Sequence, residues 1–343
     1  MKTSKTLLLS FFLLSSMLWA QEVKDKFSGY MFGDYFWVAA HHDSTIKDAN
    51  GFWFRRIYFT YERSMTETVS LRLRLEMNSA GDFSKTSAAL TPFVKDAFLK
   101  WKINQDHALL LGISEVPTLS LVEATWGYRF IEKTPLDLQK WVSSRDFGVA
   151  LQGNLLNAPK IKYHFMLGNG SGEKSEINQG KKIMTAISYY PSDHIILEAY
   201  GDWTDETGAT DYYTFQGFAA YKTERLTVGL QAAQQIRQSP NQADKNFTLA
   251  SGFLTLKAAD KITLVGRADR LFEAGGSLAA KQVYLPFDTT APSTLLIGAI
   301  DYAPLPDVRV TPNVEIVMYD KKDSGSKPDT DIMARITFFY QFK

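Results

Sequence analysis

From Val69 to Asn78 apolar and polar residues take strict turns. Val69, Leu71, Leu73, Leu75 and Met77 share one parity; Ser70, Arg72, Arg74, Glu76 and Asn78 share the other. Successive strand side chains point to opposite faces, so this stretch makes a strand with one apolar and one charged face. The alternation returns at the end of the chain, where Ile332, Ala334, Ile336, Phe338, Tyr340 and Phe342 oppose Met333, Arg335, Thr337, Phe339 and Gln341. It recurs at 160–167 and 226–233, and a helical period is hardly found. The pattern predicts sixteen strands: 27–39, 52–63, 68–78, 93–103, 107–117, 146–155, 160–169, 181–190, 195–204, 213–222, 225–237, 247–257, 261–271, 294–303, 308–319 and 331–343. Pro312 interrupts its strand, which predicts a later start or a bulge there. Each strand alone fits a soluble sheet, apolar face inward, or a membrane barrel, apolar face outward.

The connections separate these two. Short ones (65–67, 104–106, 156–159, 191–194, 223–224, 258–260, 304–307) alternate without a break with long ones (40–51, 79–92, 118–145, 170–180, 205–212, 238–246, 272–293, 320–330). Tight turns at one end and long loops at the other, with an even strand count, are the layout of a bacterial outer-membrane barrel. A spanning sheet can leave no backbone edge unpaired in hydrocarbon, so 331–343 is expected to pair with 27–39. Phe27, Gly29, Met31, Gly33, Tyr35 and Trp37 then face lipid. The expected fold class is all-β, a transmembrane antiparallel barrel occupying 21–343.

Residues 1–20 read as a secretory signal peptide: Lys2 and Lys5 precede an apolar run from Leu7 to Leu18, and Ala20 precedes the expected cut. That run is short for a bilayer span. Without those residues 36 basic side chains face 37 acidic ones, giving a net charge near −1 and no indication of a nucleic-acid partner. There is no cysteine, so neither disulfide nor lipid-modified Cys is expected. Aromatics are plentiful (16 Tyr, 23 Phe, 7 Trp) while mean hydropathy is slightly negative, −0.18. Export, aromatic content and moderate polarity agree with an outer-membrane location and lipid as surroundings.

A barrel of about sixteen strands is wide enough for an aqueous channel. The inferred inward face carries Asp34, Arg56, Glu62, Arg72, Arg74, Glu76, Asp96, Lys100, Lys102, Glu198, Asp202, Arg267, Asp269, Arg309, Glu315 and Arg335. Mixed signs of this kind wet a water-filled wall, whereas Arg72, Arg74, Lys100 and Lys102 on neighbouring strands could form a cationic track for anions. The connection 118–145 is the candidate constriction, because Trp126, Tyr128, Phe130 and Trp141 are too apolar for a free loop. Residues 135–141 could make a short helix within it, and Arg129, Glu132, Lys133, Lys140 and Arg145 would line the narrow section; the alternative is an outer cap.

Trp126-Gly127-Tyr128-Arg129, Glu132-Lys133-Thr134-Pro135 and Ser144-Arg145-Asp146-Phe147-Gly148-Val149 resemble the third-loop and sixth-strand region of the phosphate-selective porins O and P, in particular their relatives in Bacteroidetes-type bacteria. Phe54-Arg55-Arg56 and Asp96-Ala97-Phe98 are similar to that family as well. The resemblance implies a sixteen-stranded, trimeric, passive channel. The mixed-sign inner face departs from the dense Arg and Lys ladder that phosphate selection implies. The aromatic last strand, with Phe342 penultimate before Lys343, also resembles the signal read by outer-membrane assembly machinery.

Other chemistries find little purchase. His41-His42 can ligate a metal, yet no carboxylate or Cys spacing completes a site, and the pair reads as surface residues of the first outer loop. Gly168-Asn169-Gly170-Ser171-Gly172 lacks the strand-to-helix setting of a phosphate cradle, and no Gly-x-Ser-x-Gly elbow occurs. The expected function is a porin passing small hydrophilic solutes by diffusion, with mild anion preference as the finer expectation and without cofactor or covalent chemistry. The rival is a plugged barrel serving as enzyme or adhesion scaffold. A carrier of hydrophobic solutes would want an N-terminal plug, and only about six residues stand between the expected cut and the first strand.

Overall fold

The computed structural model describes residues 24–78, 83, 90–155, 158, 160–176, 178–206, 208, 210–275 and 284–343. The signal-peptide reading at 1–20, most of the 79–92 connection and part of the 272–293 connection lie outside the described residues.

Sixteen antiparallel strands close into one barrel in which each strand pairs with its sequence neighbours. They are β1 (Lys24–Ala40), β2 (Asn50–Ser64), β3 (Val69–Asn78), β4 (Thr91–Lys102), β5 (His107–Glu115), β6 (Arg145–Asn154), β7 (Ile161–Gly168) and β8 (Lys182–Ser192). The circuit continues through β9 (Ile195–Thr204), β10 (Tyr212–Lys222), β11 (Leu226–Arg237), β12 (Lys245–Ala259), β13 (Ile262–Leu271), β14 (Ser293–Leu305), β15 (Val308–Tyr319) and β16 (Asp331–Phe342). The seam joins β1 to β16 from Gly29↔Phe342 to Ala40↔Ile332. All sixteen expected strands are present, and closure leaves no ladder edge.

The outer surface shows why such a sheet sits in lipid. Phe27, Trp101, Tyr189, Tyr221, Tyr302 and Tyr340 are exposed near the short-turn ends of their strands. Tyr35, Trp37, Phe52, Phe147, Trp203 and Phe215 are exposed near the long-loop ends. Between these two aromatic girdles the outward positions are aliphatic, as at Leu111, Leu197, Leu230, Leu264, Ile300 and Ile336. An apolar band between aromatic girdles matches a bilayer, and the expected lipid face of β1 points outward. Pro312 sits mid-strand in β15 and points outward. It pairs with Ile336 on β16, whereas the ladder to β14 passes from Ala299↔Asn313 to Tyr302↔Val310 with no pairing between. The missing N–H is thus absorbed by an interrupted ladder rather than a later strand start.

Two β-bulges break the strict alternation where it matters. Phe32 pairs with Arg56 and Gly33 with Phe54, so Arg55 is an extra residue, and both Arg55 and Arg56 are buried inside the barrel. Likewise Arg74 pairs with Asp96 and Leu75 with Val94, leaving Lys95 extra and turned inward beside Asp96. A bulge places two consecutive residues against one partner residue and so re-aims a side chain. Here each bulge brings one more cation into the lumen.

The connection between β5 and β6, residues 116–144 (L3), lies inside the barrel. It forms helix α1 (Pro117–Trp126) and the single turn α2 (Pro135–Leu138). β5 ends at Glu115, short of the expected 117, and the longer helix is α1, where the pattern predicts a helix only over 135–141. Pro117 opens α1 at a position whose N–H would have no partner in any case. Gly127 closes it in the left-handed conformation (φ +69°), its N–H bonded to Glu123 O at 3.0 Å.

Candidate functional site

L3 divides the lumen with apolar packing on both flanks. Val122, Trp126, Tyr128, Phe130, Ile131 and Leu138 join the inward residues of β1 and β14–β16, among them Phe32, Phe36, Leu295 and Met333. Leu119, Leu136, Trp141 and Val142 pack on Ala150, Met166, Met184, Tyr200, Phe247 and Leu249 of the opposite wall. The inner face is therefore less polar than alternation alone suggests, because it serves as a packing surface for a loop.

Hydrogen bonds from wall to loop backbone fix the register. Arg55 Nη1 donates to Ile131 O at 2.6 Å, its Nη2 donates to Phe130 O, and Arg335 Nη2 reaches the same Ile131 carbonyl at 3.1 Å. Arg267 Nη1 donates to Lys133 O at 2.5 Å, Gln216 to Thr118 O at 3.1 Å and Gln235 to Trp141 O at 3.1 Å. A loop carbonyl buried without a donor is costly, so these side chains are what allow irregular backbone to lie inside the barrel. Each clamping arginine is also neutralised: Arg55 by Asp34 (2.6 Å), Arg335 by Glu315 and Arg267 by Asp269 (2.5 Å).

The remaining cations fall into three groups. In the first, Arg72 and Arg74 lie 3.3 and 3.6 Å from Asp96, and Arg145 is hydrogen-bonded to the same carboxylate. Glu62 (3.7 Å from Arg72) and Glu115 (3.4 Å from Arg145) stand at the rim of this group. In the second, Arg56 pairs with Glu76 and donates to the Tyr284 hydroxyl at 3.1 Å. Lys133 lies over the Tyr284 ring at 5.5 Å, and Arg129 bonds Asp137 at 3.0 Å with Glu123 at 3.5 Å. Burial would push the Asp137 carboxyl up, but Arg129, Lys133 and Arg56 hold it down at about 2. The Tyr284 hydroxyl is likewise pulled below its ordinary value, against burial, by Arg56, Lys133, Arg129 and Arg55. Lys95 joins this side through Glu76 (3.6 Å) and Glu173.

The third group faces water near the short turns. Beneath α1 a cavity of about 800 Å³ is lined by Lys100, Lys102 and Lys162 with Glu67, Asp106 and Glu198, and Pro117, Ser120 and Leu121 form its roof. Lys100 and Lys102 have no ion pair among the described residues. Arg309 stands apart, half-exposed, bonded to Asp301 and lying 5.9 Å from the rings of both Tyr128 and Phe130.

Thus Arg72, Arg74 and Arg145 converge on one node, Arg56, Arg129 and Lys133 on another, and Lys100 and Lys102 on the vestibule. Arg267 and Arg335 are held against L3, and Arg309 is separate. Strict period-two reading missed Arg55 and Lys95. A signal was available: Arg55-Arg56 and Lys95-Asp96 are adjacent charged pairs within membrane strands, and without a bulge one of each would face lipid. His41-His42 is corrected. The His41 side chain is buried, not a surface ligand, and Asp331, distant in sequence, stands against both rings.

The family model of the phosphate-selective porins O and P matches residues 32–293. No curated protein matches the sequence. Solved structures share the fold at low identity. The anion-selective porin from Comamonas acidovorans superposes with a TM-score of 0.69 at 10% identity, covering 94% of this chain and 100% of that one. OmpT of Vibrio cholerae gives 0.65 at 14% identity, covering 95% and 99%. The outer membrane channel DcaP of Acinetobacter baumannii gives 0.66 at 12%, covering 94% and 99%.

Proposed function

This chain belongs to the phosphate-selective porin O and P family, an outer-membrane porin passing small hydrophilic solutes by diffusion, and we propose that it favours small anions. The observation that carries this is the Asp96 node, where three guanidinium groups gather on one buried carboxylate. Guanidinium groups clustered along a low-dielectric passage attract anions. From this node Lys100 and Lys102 continue along β4 into the vestibule, giving a partly exposed path on the β3–β4 wall. Glu62 and Glu115 stand at the rim of the Asp96 node, and in the second node Arg56, Arg129 and Lys133 face Glu76, Asp137 and Glu123, so both are near balance and the preference is mild. Inorganic phosphate and chloride both have the charge that such a path would attract.

No covalent step is assigned to these residues; the cations act as fixed charges. Assembly as a homotrimer is part of the same reading, supported by a trimer form of Vibrio cholerae OmpT, which shares the fold. The exposed aromatics Tyr340 and Phe342 at the end of β16 are the proposed contact for outer-membrane assembly machinery. The apolar filling on both flanks of L3 favours a narrow passage, and in the limit a plugged barrel.

Planar-bilayer recording of the refolded protein tests the proposal. The expected result is discrete steps with an anion-selective reversal potential in a salt gradient, lost in Arg72→Ala/Arg74→Ala. Cation selectivity would overturn the anion reading, and folded protein without steps would leave the plugged barrel.

A further inference from the structure

At the long-loop end the first loop, residues 41–49 (L1), folds back over the start of β16 and meets the loop before β14. We infer that His41, His42 and Asp331 form a binding site for a zinc-like divalent cation at the outer mouth. Their ligand atoms all lie within 4.8 Å of one another. His42 Nδ1 is 2.9 Å from Asp331 Oδ2, and His41 Nε2 is 4.0 Å from the same oxygen. Ligands on a tetrahedral zinc ion, with bonds near 2.0–2.1 Å, stand about 3.3 Å apart, so the two observed separations bracket the required one. A small rotation of each side chain opens the site.

The surroundings match what metal ligands need around them. Asp331 Oδ1 accepts the backbone N–H of His42 at 2.6 Å, and Oδ2 accepts the Tyr319 hydroxyl, so the carboxylate is held in place. The backbone of Asp43 offers His41 Nδ1 both a donor (N–H at 3.0 Å) and an acceptor (O at 3.2 Å). His41 can therefore be held with its proton on either nitrogen, including Nδ1, the tautomer that frees Nε2 for a metal. Without a metal, Nε2 is satisfied instead by Pro286 O at 3.0 Å, and that carbonyl stands within reach as a further oxygen donor. Two imidazoles and a carboxylate select zinc and its first-row neighbours over magnesium or calcium. The ion would tie L1 to β16 and bring Pro286 into the same cluster.

The test uses untagged, full-length protein refolded in detergent, with zinc chloride titrated against a chromophoric zinc chelator. One equivalent is expected to bind the wild type, and His42→Gln and Asp331→Asn are expected to weaken it about tenfold or more. His42 is the most accessible ligand, its side chain 19% exposed, so H42Q keeps the test valid if D331N fails to fold. His194→Gln, in a short turn at the opposite end, is expected to bind as the wild type does. No zinc on the folded wild type, or equal binding by H42Q, would overturn the site and leave a hydrogen-bonded loop staple.

Discussion

Two sides of one lumen use the same residue types to different ends. On β2 and β16 Arg55 and Arg335 are fully buried, each paired with an acid and each donating to an L3 carbonyl. On β3 and β4 Arg72, Arg74, Lys100 and Lys102 donate to no L3 carbonyl among the described residues and keep part of their surface open, the two lysines in the cavity beneath α1. All are inward positions of amphipathic strands. What separates a loop-holding arginine from the others is whether an irregular backbone segment needs its N–H groups. Inward charge alone is therefore a poor guide to selectivity.

The comparison breaks most visibly if a clamp is removed. Arg335→Ala leaves Glu315 buried without a partner and Ile131 O short of one donor, a loss of about 3–5 kcal/mol. A lower urea midpoint together with larger, noisier current steps is expected as L3 loosens. Unchanged stability and unchanged steps would place Arg335 outside the clamp.

Next in size is the Asp96 node. Arg72→Ala/Arg74→Ala should abolish anion preference while costing about 1 kcal/mol or less per partly exposed pair, since such pairs contribute little to stability. The reversal potential and the urea midpoint, read on the same protein, separate these outcomes. A collapse in stability with selectivity intact would reverse the assignment of the two sides.

Acid provides a third probe, because the carboxyls of the narrow section neutralise before its arginines do. Asp137 has a folded value of about 2 against an ordinary 3.8, so its contribution to seating L3 is full above the ordinary value. It is lost as pH falls toward about 2. Burial pushes the neighbouring Glu123 carboxyl above its ordinary value, so it neutralises first as pH falls. Reversal potentials between pH 6 and 3 should therefore become more anion-selective without a change in step size, with L3 loosening only below that window. Step noise that rises already near pH 5 would contradict the depressed Asp137.

The smallest effect is expected in the vestibule. Lys100→Ala/Lys102→Ala should lower conductance in dilute salt, and the difference should vanish in 1 M KCl, where charges are screened within roughly 3 Å. A deficit that persists at high salt would mean that the lysines set pore width rather than potential.

The strand count, the outward faces and the alternation of loop length could all be read from the sequence, because they rest on a local side-chain period and on distances along the chain. The aromatic content of 126–141 likewise showed that this loop was unsuited to solvent. The arrangement of L3 could not be read, since α1 carries its apolar residues around much of its surface and so announces no single buried face. The bulges escaped for a related reason. An extra residue is visible only once two strands are set side by side, yet Arg55 and Lys95 owe their inward positions to it.

By itself, then, the sequence determined a closed sixteen-stranded membrane wall, because alternation and hydrogen-bond closure in lipid permit little else. Only the tertiary structure decided which inward cations hold the loop and which do not, and that Asp331 stands beside His41 and His42 from the far end of the chain. Those outcomes depend on cross-strand register and on which carbonyls lie opposite, and neither is a property of any segment alone.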